Sequence, residues 1–316
     1  MTSALAVDGA LAVLALGLAL WVTVARTAYA AAVGWVAYGL VLSIVWVRLA
    51  AVDTALTEAA LGSGLTGLLL LGAAARLAPY EAAERARRPG LAWRIAVGLL
   101  CAALAAGLAA VALSLPDPAP TLAPLVAENL APVGVLNPVT GVLLAHRAID
   151  TLLESVVLVP ALIGVWSLAA DDAWGGRPGS LRPRRAPGSA LTLLAQVLPP
   201  FGILVGIHLV WAGADEPGGK FQGAAVLAAM WVLVLAAGLR EAPAVRSRRL
   251  RALAVGGAVL FVAIGVSGIW FADAFLAYPA GYAKPLILVI EAALTPSVAV
   301  ILGLLLAGPP EDAVRS

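Results

Sequence analysis

Apolar residues run through this chain in long unbroken stretches, without the alternation of a half-buried strand or the narrow stripe of a surface helix. Nine stretches stand out, at 4–24, 30–48, 52–76, 91–115, 138–166, 189–212, 222–240, 252–272 and 285–307. Most are about 18–25 residues long, enough for a helix rising ~1.5 Å per residue to cross ~30 Å of hydrocarbon. Barrel strands would alternate apolar and polar positions over about ten residues, and no such alternation is present. The pattern predicts an all-α polytopic transmembrane bundle of about nine spanning helices.

Composition sharpens this. Of the 316 residues, 62% are hydrophobic and 12% charged, against roughly 45–50% and 25% in a soluble globular chain. The excess needs lipid around it, so the expected location is the cell (cytoplasmic) membrane, with the bilayer as one partner. The first basic residue is Arg26, so Leu5 to Val24 is expected to be a retained first helix, with Asp8 at the interface.

The twenty basic residues divide unevenly. Five arginines lie between Arg76 and Arg94, four between Arg177 and Arg185, and five between Arg240 and Arg251, with Arg26 and Arg315 on the same side. Arg48, Lys220 and Lys284 fall on the other side, and Arg147 falls within a helix. The positive-inside rule places the N-terminus outside and the C-terminus in the cytoplasm, as an odd number of spans requires. Aromatic residues do not interleave with the basic ones, so these are topology anchors and no nucleic acid is expected. The Pro/Gly/Arg stretch RPGSLRPRRAPGS at 177–189 separates two modules. The expected division is 1–166, a linker at 167–188, 189–307 and a tail at 308–316. The Pro-rich 116–135 segment is expected to lie along the surface as a short amphipathic piece.

The candidate chemistry is a set of charges inside these apolar runs: Asp53, Glu58, Arg147, Asp150, Glu154 and Glu291. An ionisable group in hydrocarbon costs from ~3 kcal/mol upward, so it is rare unless it lines a path or meets a partner. Asp53 and Thr57 share a helical face, with Glu58 a turn deeper; Asp53 could also serve as an N-cap. His146, Asp150 and Glu154 follow i, i+4, i+8 spacing, and with Arg147 they make one broad charged face if the helix is continuous. That cluster could also be a self-neutralising structural one. Gly213, Asp215, Pro217, Gly218 and Gly219 break the chain ahead of Phe221, Gln222 and Gly223. Such a break suits a water-lined cavity or an external turn. His208 is a second candidate titrating group, weighed against an ordinary hydrogen-bonded histidine. Pro296 lies near Glu291, and Pro199–Pro200 are expected to kink their helix. Nucleotide-loop, CxxC and HExxH patterns are absent, and Cys101 is alone. No metal site or resident cofactor is therefore expected, beyond transient Na+ or H+, and the chain is read as a transport subunit and not an enzyme.

Three segments carry a family resemblance. DTALTEAALGSGL at 53–65 and NPVTGVLLAHRAIDTLLESVVL at 137–158 resemble the carboxy-terminal part of the Mrp antiporter A subunit, which also occurs as small membrane subunits of membrane-bound hydrogenases. GADEPGGKFQGAAVLAA at 213–229 resembles the glycine–proline signature of the Mrp B subunit. The resemblance implies a subunit of a cation/proton antiporter or complex I-related assembly, seated beside antiporter-type subunits. It also implies an acidic route through Asp53, Glu58, Asp150 and Glu154, with Arg147 as counter-charge; Glu291 is added on burial alone. Departures from the B-subunit pattern are Ala214 in place of a histidine, Lys220 in place of a third glycine, and Ala224 in the last glycine pair. A structural scaffold between pumping subunits and a stand-alone transporter are the alternatives, the latter weakened by the absence of a clear internal repeat.

Overall fold

The computed structural model describes residues 2–86, 90–116, 118, 120–179, 181 and 188–311. The expected anchors Arg87, Arg88, Arg182, Arg184, Arg185 and Arg315 lie outside the described residues. Twelve α-helices make up nearly all of the described regular structure: α1 (Thr2–Val24), α2 (Ala28–Arg48), α3 (Val52–Thr57), α4 (Thr66–Ala86), α5 (Leu91–Ser114), α6 (Ala123–Leu130), α7 (Pro138–Gly141), α8 (Ala148–Trp166), α9 (Ser189–Ala212), α10 (Lys220–Ala236), α11 (Arg248–Phe271) and α12 (Ala283–Ala307). Among the described residues eight helical spans are long and apolar enough to cross a membrane, one of them the composite Val52–Glu81, and the chain is a multi-pass membrane protein. The stretch expected at 222–240 is α10, only 17 residues long, because Ala237 caps it and Gly238 turns away at φ +67°. The expected surface piece contains α6, eight residues that bury no side chain.

Two expected helices are not continuous. The 52–76 run divides into α3, a π-helical segment Glu58–Leu65 and α4, which passes Pro79 and ends at Ala86. The 138–166 run divides into α7, a π-helical segment Val142–His146 and α8, broken at Arg147 (φ −130°, ψ 39°). A break in an apolar setting frees carbonyls that need donors. Here the Thr151 hydroxyl donates to Leu143 O at 2.6 Å and the Tyr278 hydroxyl to Leu144 O at 2.7 Å. In the first π segment, Trp35 Nε1 donates to Gly62 O at 3.3 Å. By contrast, α9 runs unbroken through Pro199 and Pro200.

Packing centres on α12. It touches α8, α9, α10 and α11, and its Ile287, Ile290, Leu294, Ile301 and Leu304 are almost wholly buried. Phe261 of α11 and Leu144 and Leu152 from the first half close one apolar cluster around it. Leu162 and Trp166 of α8 close a second with Val245 and Leu250. In a third, Ala224, Ala225 and Ala228 of α10 lie against Val298 and Leu302, with Ala60 and Leu61 of the π segment beside them. The two halves of the sequence therefore share one core. A short antiparallel pair, β1 (Arg177–Pro178) with β2 (Pro310–Glu311), ties the segment after α8 to the end of α12. At the periphery, α1 packs on α2, whereas α5 buries no residue.

The α11–α12 crossing is closed by a hydroxyl. Ser297 Oγ accepts from Gly257 N at 2.9 Å and donates to Leu253 O at 2.5 Å, entering the backbone ladder of α11. A Cβ on Gly257 would lie 2.7 Å from Ala293 O and Leu294 Cα, whereas one on the adjacent Gly256 would meet nothing within 4 Å. Gly257→Val is therefore expected to destabilise the chain by about 1–3 kcal/mol, as overpacking against backbone does. Gly256→Val should be near neutral. Thermal unfolding of the two purified variants in one detergent checks this, and equal melting temperatures would refute the crossing.

Candidate functional site

The unstructured stretch between α9 and α10 turns inward, and its polar groups are held from several sides. Asn137, which is buried, donates through Nδ2 to Gly213 O (3.2 Å) and Glu216 O (3.0 Å) and lies 3.4 Å from both oxygens of Asp53. Its Oδ1 accepts from Val139 N and starts α7. Thr140 Oγ1 donates to Gly213 O at 2.6 Å, and the N–H groups of Leu136 and Asn137 donate to Ala214 O. Asp215 pairs with Lys284 at 2.6 Å. Gly218 N donates to Asp53 Oδ1 at 3.0 Å, and Gly219 N to Leu209 O at 2.8 Å. Gly219 sits at φ +128°, a conformation that residues with a Cβ rarely adopt. Gln222, one turn into α10, donates to Thr57 Oγ1 at 3.0 Å. Phe221 stands beside it, and Gly223 crosses Gly206 of α9 too closely for a side chain.

Asp53 is thus a clamp on this loop and not an N-cap; the residue ahead of α3 is Ala51, and no side chain caps the helix. Within the loop Glu216 and Pro217 are exposed, whereas Gly218 and Gly219 are buried and line a cavity of about 270 Å³. The same cavity is lined by Asp53 and Thr57 of α3, Thr151 and Glu154 of α8, Lys220 of α10 and Glu291 of α12. Glu291 is 2% exposed. Its Oε1 accepts from Lys220 N at 3.2 Å, while Oε2 is buried with no hydrogen-bond partner. Lys220 is 5% exposed; its Nζ has no hydrogen bond and lies 3.9 Å from the centroid of the Phe221 ring. Such a ring contact is worth about 2 kcal/mol when desolvated, well short of the cost of removing an ammonium from water. Glu154 is exposed on the rim and makes no hydrogen bond or ion pair among the described residues.

Among the residues that line the cavity the one basic side chain is Lys220; Arg147 does not line it. Arg147 sits at the break before α8, exposed, and pairs with Asp150 at 2.6 Å. All four residues of the expected charged face, His146, Arg147, Asp150 and Glu154, are exposed, but only Glu154 lines the cavity. His208 is exposed on α9, also away from it. Glu58 lies elsewhere again, its carboxylate folded against Gly62 and Gly39 of α2 beside the buried, unpartnered hydroxyl of Ser63. It makes no hydrogen bond or ion pair among the described residues.

Comparison with known proteins gives two family matches. Residues 190–308 match a domain related to the MnhB subunit of the Na+/H+ antiporter, and residues 13–79 match the MbhD family of MBH subunits. The motif resemblance thus holds on both sides of the linker. No curated protein matches the chain. Among solved structures, one chain of the Mrp complex from Dietzia sp. DQ12-45-1b superposes with a TM-score of 0.69 at 22% identity, covering 97% of this chain and 35% of that one. One chain of the membrane-bound sulfane sulfur reductase (MBS), an archaeal respiratory membrane complex, superposes with a TM-score of 0.54 at 23% identity, covering 70% of this chain and all of that one. At these identities the likeness is one of fold, and the chain spans about a third of the Mrp-complex chain it matches.

Asn137→Ala removes a buried donor shared by two loop carbonyls and Asp53. Leaving such acceptors unpaired costs about 1–3 kcal/mol. The expected outcome is faster amide exchange at Gly218 and Gly219 than in the wild type, with α11 unchanged. Unaltered exchange in the loop would show that Asn137 does not hold it.

Proposed function

We propose that this chain is a non-redox transmembrane subunit of an Mrp-type cation/proton antiporter or a related respiratory assembly, and that its cavity is one station of the ion route. The family matches on both sides of the linker support the class. Support for the route comes from one observation: Glu154 and Glu291 share a cavity with a single buried lysine, and neither Lys220 Nζ nor Glu291 Oε2 has a fixed partner. A scaffold has no need of unpaired charge at depth. Asp53, Asp150 and Asp215 are each held by a fixed partner and serve structure in the way a scaffold's acids would. Glu154 and Glu291 are held differently, and the route is assigned to them, with Glu58 as a separate candidate on the α2 side.

On this reading the antiport coupling lies in neighbouring antiporter-type subunits, and the chain needs no resident cofactor. The distribution of arginine supports an external amino terminus and a cytoplasmic carboxy terminus. It also supports a two-module organisation joined by the basic linker.

In everted membrane vesicles containing the assembled complex, Glu291→Gln and Glu154→Gln are expected to lower cation/proton exchange about tenfold or more, equivalent to ~1.4 kcal/mol of barrier. Assembly, followed by co-purification of the other subunits, should persist. Wild-type exchange in both assembled variants would overturn the route.

A further inference from the structure

Lys220 lines the same cavity as Glu154 and Glu291, and its ammonium is buried there without a hydrogen bond. An external lysine beside a glycine-rich turn would extend into water. This one is turned inward, 5% exposed, onto the face of Phe221, and its main-chain N–H is already committed to Glu291 Oε1. Its ammonium has no oxygen within hydrogen-bond distance, although two carboxylates line the same space.

The surrounding charges can be assigned element by element. From α3, Asp53 is held by Gly218 N and Asn137 Nδ2. From α8, Asp150 is bound to Arg147 outside the cavity, which leaves Glu154. From the loop, Asp215 is bound to Lys284 at the start of α12. From α12 itself, only Glu291 faces the cavity, and neither α11 nor the π segments add a charged lining residue. What remains free is two carboxylates and one ammonium. Fully ionised, Glu154, Glu291 and Lys220 together carry one excess negative charge, beside the Asp53 charge that its two N–H donors stabilise, and Glu291 holds its carboxylate at 2% exposure, where an unpaired charge is costly. One more positive charge balances these three groups.

We propose that Lys220 is a tethered cation that makes the Glu154–Glu291 pair a one-proton site: its ammonium compensates one of the two carboxylates, and a single exchangeable proton on the other balances the three groups, in place of a metal cation. The inference rests on the route reading given above and names the ion that the station takes. A metal ion entering here would meet a fixed positive charge and only two carboxylates, whereas a proton needs a single oxygen. Taking up the proton converts one carboxylate to a carboxylic acid, and releasing it returns the carboxylate, so no other co-reactant is required.

The test uses the purified full chain in nanodiscs, with radioactive Na+ as the probe and difference infrared spectroscopy to read protonated carboxyl groups. Wild type should show no saturable Na+ binding, together with one carboxylic-acid band that appears on acidification and is lost or shifted when Glu154→Gln and Glu291→Gln are introduced in turn. Lys220→Gln should acquire Na+ binding at least about tenfold tighter than wild type, because the tethered positive charge that repels the ion is gone. That gain should vanish in the double variants Lys220→Gln/Glu154→Gln and Lys220→Gln/Glu291→Gln. Lys220→Arg, which keeps the charge, should behave as wild type and guards against a folding defect in the glutamine variant. Saturable Na+ binding to wild type that Glu291→Gln abolishes would overturn the tethered-cation inference while leaving the cavity an ion station. Neither Na+ binding nor a titrating carboxyl in any variant would overturn it together with the route reading.

Discussion

An irregular backbone inside an apolar fold exists only if other groups satisfy it, and residues 213–219 meet that condition with partners from the amino-terminal half. Asn137 and Thr140 donate to Gly213 O, Asn137 also donates to Glu216 O, and the main chain at Leu136 and Asn137 donates to Ala214 O. Asp53 takes the Gly218 N–H. Each bond is worth about 1 kcal/mol net, but an unmade one costs more, so removing either half would leave the other with buried unpaired groups. The two halves are therefore obliged to fold against each other, independently of the apolar clusters they share. The product of that obligation is the position of α10, whose first residue is held with its N–H on Glu291.

The loop also sorts the charges. Asp53 is consumed by Gly218 and Asn137, and Asp215 by Lys284. Asp150 is consumed by Arg147 on the outer side. Three acids thereby have fixed partners, and of the acids that line the cavity with Lys220 only Glu154 and Glu291 lack a side-chain or loop clamp. Local rules of polar satisfaction hold throughout the loop and fail at Lys220 Nζ and Glu291 Oε2. Ser63 Oγ and Trp166 Nε1 are also buried without partners, but Lys220 Nζ and Glu291 Oε2 are the ionisable groups left so among the described residues, and such places are where function is expected.

How much of this the sequence disclosed depended on the kind of signal. Spans were legible because hydropathy over some twenty residues has few other causes in a chain this apolar. Glu291 was legible because it stands alone in such a run. The break at Arg147 was not, since neither glycine nor proline marks residues 145–149. Its determinants are the distant donor Tyr278 and the side chain of Thr151, which act only after folding. Across that break Arg147 still pairs with Asp150, three residues on, but the pair lies outside the cavity that Glu154 lines. Lys220 was counted among residues of the outer side because lysines flanking spans usually end there. The pull of the loop toward Asp53 and Asn137, invisible in local sequence, carried it inward. His208 looked buried for the opposite reason: an apolar run does not tell which face looks inward, and α9 turns that face out.

The three remaining groups differ in freedom, and the difference gives the cavity a direction. Glu291 is fixed: Ile287, Ile290 and Leu294 around it are at most 1% exposed, and Thr295 Oγ1 donates to its own carbonyl at 2.7 Å. Below it, Ser297 locks α12 into the ladder of α11. Lys220 is fixed at its main chain but has four rotatable carbons between that anchor and its ammonium. Glu154 is on the rim, exposed, with no bond to break before it moves. On the proposed reading, exchange with the outside therefore runs through Glu154, storage lies at Glu291, and the ammonium is the one charged group able to shift its weight between them. Arg147, exposed and paired with Asp150, does not line this cavity, so on the proposed reading the positive charge that serves both acids is the one at the start of α10.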